Sequence, residues 1–196
     1  MEFLGAIFII IFGTLGHFIF EWSGHRRWAG TFFAVNESTW EHIKLTVYPS
    51  LIWGVVEGCV RGFTPVLAVS LATSMAAMIV LIPALFYSYT AIVGRNFLIT
   101  DILCFLVTVV AGMWLFHWLI TSLTVVPATL LASSLILLGL IILAYFLFSY
   151  HPPRNFIFRD PITGDFGPQG HDCNADFHGV GEHRAHHHHH HHHENQ

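Results

Sequence analysis

The sequence predicts an all-α fold, a polytopic transmembrane helical bundle of about five spans. Hydrophobic residues make up 54% of the 196 and charged residues only 10%, with a mean hydropathy of +0.61. The apolar residues fall into long runs separated by short polar breaks, and nearly all the Lys and Arg residues lie in alternate breaks. That combination belongs to multi-pass membrane proteins, whose partner is the lipid bilayer.

The first run, residues 3–20, is about 27 Å long as a helix and reaches across a bilayer core. Glu2 precedes it without Lys or Arg, and no small-residue cleavage site follows, so a retained helix is expected rather than a cleaved signal. The second run, 45–61, contains Pro49 and Glu57 and is the least apolar. It is the weakest of the five spans, and a short or partly interfacial helix there is the alternative that leaves four spans as the competing count. The third, 65–93, contains Pro83, tolerable inside a bundle where neighbours satisfy the freed carbonyl. Runs at 97–120 and 128–150 complete a transmembrane domain over 1–150.

After Tyr150 the chain turns Pro-rich (HPPRNFIFRDPITGDFG) while keeping Phe156, Ile157, Phe158 and Phe166. Residues 151–169 are expected to lie along the membrane surface or fold back over the loops. Residues 170–196 carry His171, Cys173, His178, His183 and an unbroken run from His186 to His193. Disorder is expected there; a native metal-buffering segment and an expression tag both fit the run.

With five spans, Arg26, Arg27, Lys44, Arg95, Arg154, Arg159 and Arg184 share one side and only Arg61 falls on the other. The positive-inside rule then puts the N-terminus outside and the C-terminus in the cytosol. Four spans would split the basic residues more evenly. Cys59, Cys104 and Cys173 have no paired spacing and indicate no disulfide framework. The net charge of -4 is thinly spread and gives nucleic-acid binding no support.

Five ionisable residues crowd the end of the first run and the segment after it: His17, Glu21, Glu37, Glu41 and His42. His17 and Glu21 are spaced i,i+4 and stack on one helical face, with Gly13 one turn earlier allowing close approach; Glu37 and Glu41 repeat the spacing. Carboxylates and imidazoles from adjacent segments suit zinc, manganese or iron, and would equally serve as a proton relay or acid-base pair. Asn36, Asp101 and His151 fall at the same membrane face and extend the candidate set. Plainer roles stay open for each. Ser38-Thr39-Trp40-Glu41 fits a capping box, Asn36 fits a turn, His17 fits a hydrogen-bonded core histidine, and Glu21 can reach interfacial water. Trp22, Trp28 and Trp40 fit an interfacial aromatic belt.

Elsewhere, Glu57 and Arg61 are placed to neutralise one another at i,i+4 near the far end of the second run. Asp101, Cys104, Thr108 and Gly112 share a face of the fourth run, and Ala68, Ala72 and Ala76 form a small-residue stripe on the third, patterns of helix packing.

The pairing of HFIFEWSG with VNESTWEHIKLTVYP, followed by YHPPRNFIFRDPITGDFG, resembles an uncharacterised family of small bacterial integral membrane proteins, a domain of unknown function. His17, Glu21, Asn36, Glu37, Trp40, Glu41 and His42 carry the match, which is specific over 17–49 and 150–167 and loose between. The resemblance implies a multi-pass protein of a bacterial cytoplasmic membrane and no assigned activity.

Function is read first as cation or metal binding linked to metal handling or small-solute transport, with a homo-oligomer as the transporting unit. The alternatives are a membrane-embedded enzyme acting on a lipid or isoprenoid through the same cluster, and a non-catalytic assembly or sensor subunit. No nucleophile elbow, HExxH motif or phosphate-binding loop names a reaction. The orientation is testable: with Cys59, Cys104 and Cys173 removed, a cysteine introduced beside Arg95 should resist a membrane-impermeant thiol reagent in intact cells. Ready labelling would reverse the topology.

Overall fold

The computed structural model describes residues 2–24, 39–95, 97–151, 153 and 157–159. They form five helices: α1 (Glu2–Trp22), α2 (Thr39–Arg61), α3 (Pro65–Val93), α4 (Leu98–Ser122) and α5 (Ala128–Tyr150). Four of them, α2 to α5, are long and apolar enough to cross a membrane. The described apolar stretch of α1 runs Phe3–Gly16, and its helix continues to Trp22. Glu37, Asn36, Trp28, Ser38 and the whole segment 170–196 lie outside the described residues.

The helix ends follow local chemistry. The Thr64 hydroxyl accepts from the Leu67 amide at 3.2 Å, with Pro65 entering the first turn where its missing N–H is harmless. Gly94 closes α3 at φ 83°, a left-handed conformation that only glycine adopts without strain, and its N–H donates to the Thr90 carbonyl. Buried hydroxyls of Thr46, Ser50, Ser70, Ser74, Thr108 and Ser149 donate to carbonyls of their own helices, so they sit inside an apolar bundle without a polar partner on another helix.

At the centre, α3 packs against α2, α4 and α5, while α1 lies across α2 and α4. One core joins Ile43, Val47 and Tyr48 of α2 to Met75, Met78 and Ile82 of α3 and to Ile141 and Tyr145 of α5. A second joins Ile9 of α1 to Leu67 and to Val109, Met113 and Phe116 of α4. Outward, Ile99, Leu103, Val107, Val110 and Trp114 of α4 and Ile136, Leu140 and Leu143 of α5 stay exposed. A continuous apolar exterior of this extent matches lipid, not water.

The weakest of the expected spans is a full helix, and the short interfacial alternative falls: α2 has 23 residues beginning at Thr39, and its first half, from Thr39 to Ser50, is the most thoroughly buried described segment of the bundle. Its polar composition reflects contact with other helices rather than with water. The fourth-run face behaves as its small residues predict: a Cβ at Gly112 would strike Met78, and Thr108 is fully buried.

Pro49 explains how α1 docks. Lacking an N–H, Pro49 leaves the Leu45 carbonyl without its helical donor. It is this carbonyl oxygen that faces Gly13, where a Cβ would lie 2.7 Å away. Only glycine lets α1 approach so closely, and its Cα–H groups give the freed oxygen a weak donor. Two turns earlier in α1, Gly5 meets Trp53 and Met113, while Gly13 meets Leu45 and Phe105. The two contacts step in opposite directions along the partners, so α1 is antiparallel to both α2 and α4, in a defined register.

Gly13→Ala should therefore destabilise the bundle by about 1–3 kcal/mol, because the clash is with backbone that has no room to move. Gly139→Ala, which meets nothing within 4 Å, should be neutral or slightly stabilising. Thermal unfolding of the two variants in detergent checks the contrast.

Candidate functional site

The first two turns of α2 hold the most unusual chemistry in the chain. Glu41 and Lys44, the sole lysine of the sequence, pair at 2.6 Å with side-chain exposures of 3% and 0%. One helical turn brings them together, and the bundle then removes both from solvent. Lys44 is thus no loop charge, as its count among the topology-setting basic residues assumes, but an internal partner for Glu41. A buried pair of this kind is costly to break, since the charge left behind has no water to turn to.

An aromatic cluster covers the pair. Trp40 stacks on Tyr145 at 4.4 Å and 17°, with Phe148 and Phe158 at 5.6 and 4.9 Å. Tyr48 meets the edge of Tyr145 at 5.4 Å, and the Glu41 charge acts on both tyrosine hydroxyls. The post-helical segment closes the cluster: Ile157 accepts a backbone hydrogen bond from the Trp40 amide at 3.0 Å, satisfying a donor at the start of α2. Ile157 and Phe158, described residues of that stretch, lie against the start of α2. Trp40 accordingly belongs to an internal aromatic stack and not to a lipid-facing belt, while Trp22 is exposed. The Tyr145 hydroxyl and Trp40 Nε1 are buried without a hydrogen-bond partner among the described residues.

The other candidates distribute as follows. His42 is half-buried beside Glu41. Asp101, in the first turn of α4, accepts a hydrogen bond from the Tyr89 hydroxyl of α3, and nearby Thr39 and Tyr87 share another at 2.8 Å. His151 is exposed, and its amide closes α5 on the Leu147 carbonyl. His17 and Glu21 occupy the last turns of α1. Extending the Gly5 and Gly13 register by one turn sets backbone position 17 level with position 41 on α2 and position 101 on α4. Among the described residues, no three His, Cys, Asp or Glu side chains gather as a metal site. At the opposite end, Glu57 and Arg61 pair at 2.8 Å as their spacing predicts, with Glu57 fully buried. The carboxylate lies off the hydrogen-bond axis, so this contact is electrostatic.

Residues 2–168 match the model of a family described as a family of unknown function, DUF6512. The chain belongs to that family. The matched region takes in all five helices and the returning segment and stops short of the histidine run. No curated protein and no solved structure matches the chain. Within this DUF6512 member, the residues that sequence reasoning passed over are Lys44, Tyr48, Tyr87, Tyr89 and Tyr145. Lys44 had a signal, the i,i+3 spacing from Glu41. The tyrosines had none, since each is an ordinary aromatic of an apolar run until its helix is packed.

Glu41→Gln or Lys44→Met alone should destabilise the protein by about 3–5 kcal/mol, and the double variant Glu41→Leu/Lys44→Met should recover most of the loss. Unfolding measurements on the full cycle decide this, because independent roles would make the two losses add.

Proposed function

We propose that the protein binds a cation at the loop-bearing end of the bundle, in metal handling or small-solute transport, with Glu41 as the central ligand. The observation that carries this reading is the buried Glu41–Lys44 pair, which already holds a cation against that carboxylate in a site closed to solvent. His17, whose backbone position is level with Glu41, is the proposed second ligand, His42 follows Glu41 on α2, and Glu21 and Glu37 complete the proposed set. Asp101 and Asn36 stand as further oxygen donors. In the resting protein Lys44 neutralises Glu41; an incoming divalent ion, zinc, manganese or iron by this donor set, takes its place as the ammonium swings aside. Imidazole binds such an ion only in its neutral form, so cation binding strengthens as pH rises. Tyr145, with a hydroxyl that has no hydrogen-bond partner among the described residues, supplies a neutral oxygen beside the exchange point.

Transport on this scheme requires a homo-oligomer, since five helices enclose no polar path through the bilayer core. The lipid-acting enzyme is less well supported. An apolar groove among the described residues lies toward the Arg61 end, and its α2 residue nearest the pair, Leu51, is seven positions from Lys44, about 10 Å along the helix.

The test is metal content by elemental mass spectrometry on detergent-purified protein, comparing the unaltered sequence with a His17→Ala/Glu41→Gln variant. The histidine run contributes equally to both, so the difference is the readout. The variant should lose about one equivalent of divalent metal, and the lost equivalent should bind more tightly at pH 8 than at pH 6. Equal metal content in the two proteins would remove the cation reading.

A further inference from the structure

Residues 94–97 join α3 to α4, two helices long and apolar enough to cross a membrane. Fully extended they would reach about 13 Å, and both ends are fixed to spans, so the connection stays at the bilayer surface. Gly94 turns the chain and Arg95 follows it, exposed. The guanidinium carbon lies 4.5 Å from the centre of the Phe97 ring, a cation–π contact that gives its N–H donors no oxygen acceptor. Lys44 and Arg61 each lie on a carboxylate of their own helix, Glu41 and Glu57. Arg95 makes no ion pair among the described residues, and Asp101, the next acid along the chain, accepts from the Tyr89 hydroxyl instead.

The neighbours of Arg95 fix its depth. Ile92 is 86% exposed and Ile99 73%, with Val93 and Phe97 also exposed between them. Hydrocarbon so open on both sides of one residue is matched by lipid tails and not by water. An arginine among such residues carries its guanidinium along an apolar stem to the layer just above the tails, where lipid phosphates stand. The planar fork suits a phosphate with two oxygens turned toward it, and a charge without an acid of its own attracts one. A lipid of net negative charge answers it better than a zwitterionic lipid, which brings its own cation.

We propose that the α3–α4 connection is a docking site for an anionic phospholipid, with the phosphate on Arg95 and the acyl chains against the exposed apolar residues that flank it. Phe97 holds the guanidinium over its ring and so reduces the freedom lost when the lipid binds. The site uses none of the residues of the cation reading and stands or falls without it.

Native mass spectrometry of the full chain tests this, with phosphatidylglycerol and phosphatidylcholine of identical acyl chains titrated separately. The unaltered protein should bind its first phosphatidylglycerol about fivefold more tightly than its first phosphatidylcholine. Arg95→Gln should weaken phosphatidylglycerol about fivefold and leave phosphatidylcholine unchanged; Arg95 is exposed and lies outside the helices, so the bundle stays intact in the variant. Arg61→Gln, which removes a charge already met by Glu57, should keep the preference. Glycerophosphoglycerol, the same headgroup without chains, should not displace the lipid at equal concentration. Equal binding of the two lipids by the unaltered protein, unaltered phosphatidylglycerol affinity in Arg95→Gln, an equal loss in Arg61→Gln, or displacement by the chainless headgroup would each overturn the assignment.

Discussion

The bundle depends on how tightly α1 can lie against α2. Inside a bilayer every backbone polar group needs a partner within the protein, and Pro49 takes one away by leaving the Leu45 carbonyl without its helical donor. Gly13 meets that oxygen directly, and no other residue would fit the space. A proline that weakens one helix and a glycine that exposes the backbone of another thus act as a matched pair. Their contact fixes the level of α1 relative to α2 and α4, and with it the height of everything near the ends of those helices.

The charged end is built on that register. Burying Lys44 and Glu41 costs desolvation on both ions, which the 2.6 Å contact offsets only while both partners remain. Such an arrangement is poor economy for stability alone, because hydrocarbon of the same volume would serve as well. It makes better sense as a centre where charge is exchanged. The return of Ile157 and Phe158 onto the start of α2 matters for the same reason: it satisfies a backbone donor, completes the ring stack and keeps water from the pair.

The two ends of the molecule divide polar and apolar work. Near the Thr39 end, Tyr87 and Tyr89 make polar contacts across helices to Thr39 and Asp101, beside the Glu41–Lys44 pair within α2. Toward the Arg61 end, one ion pair, Glu57 with Arg61, stands beside an open hydrocarbon groove. The difference arises from α5, whose aromatic anchor lies at one end and whose remaining surface is aliphatic and free to face lipid. Membership in DUF6512 extends over this whole arrangement, helices and returning segment together.

Composition and run length alone determined a helical membrane bundle, and the limits of α3 and α5 at 65–93 and 128–150 follow from Thr64-Pro65, Gly94 and Pro127. The Glu57–Arg61 pair was legible because i,i+4 partners on one helix meet whatever the tertiary fold. So was the close helix approach that Gly13 allows. Only the packed structure decided that α2 is a full and deeply buried helix, since a buried polar helix and an interfacial one have the same composition. It alone drew Lys44 inward, turned Trp40 from lipid to Tyr145, and brought Tyr89 to Asp101. The Trp40–Tyr145 and Tyr89–Asp101 contacts join different helices, and the burial of Lys44 depends on the helices around it; both are selected by helix register, which no local pattern encodes.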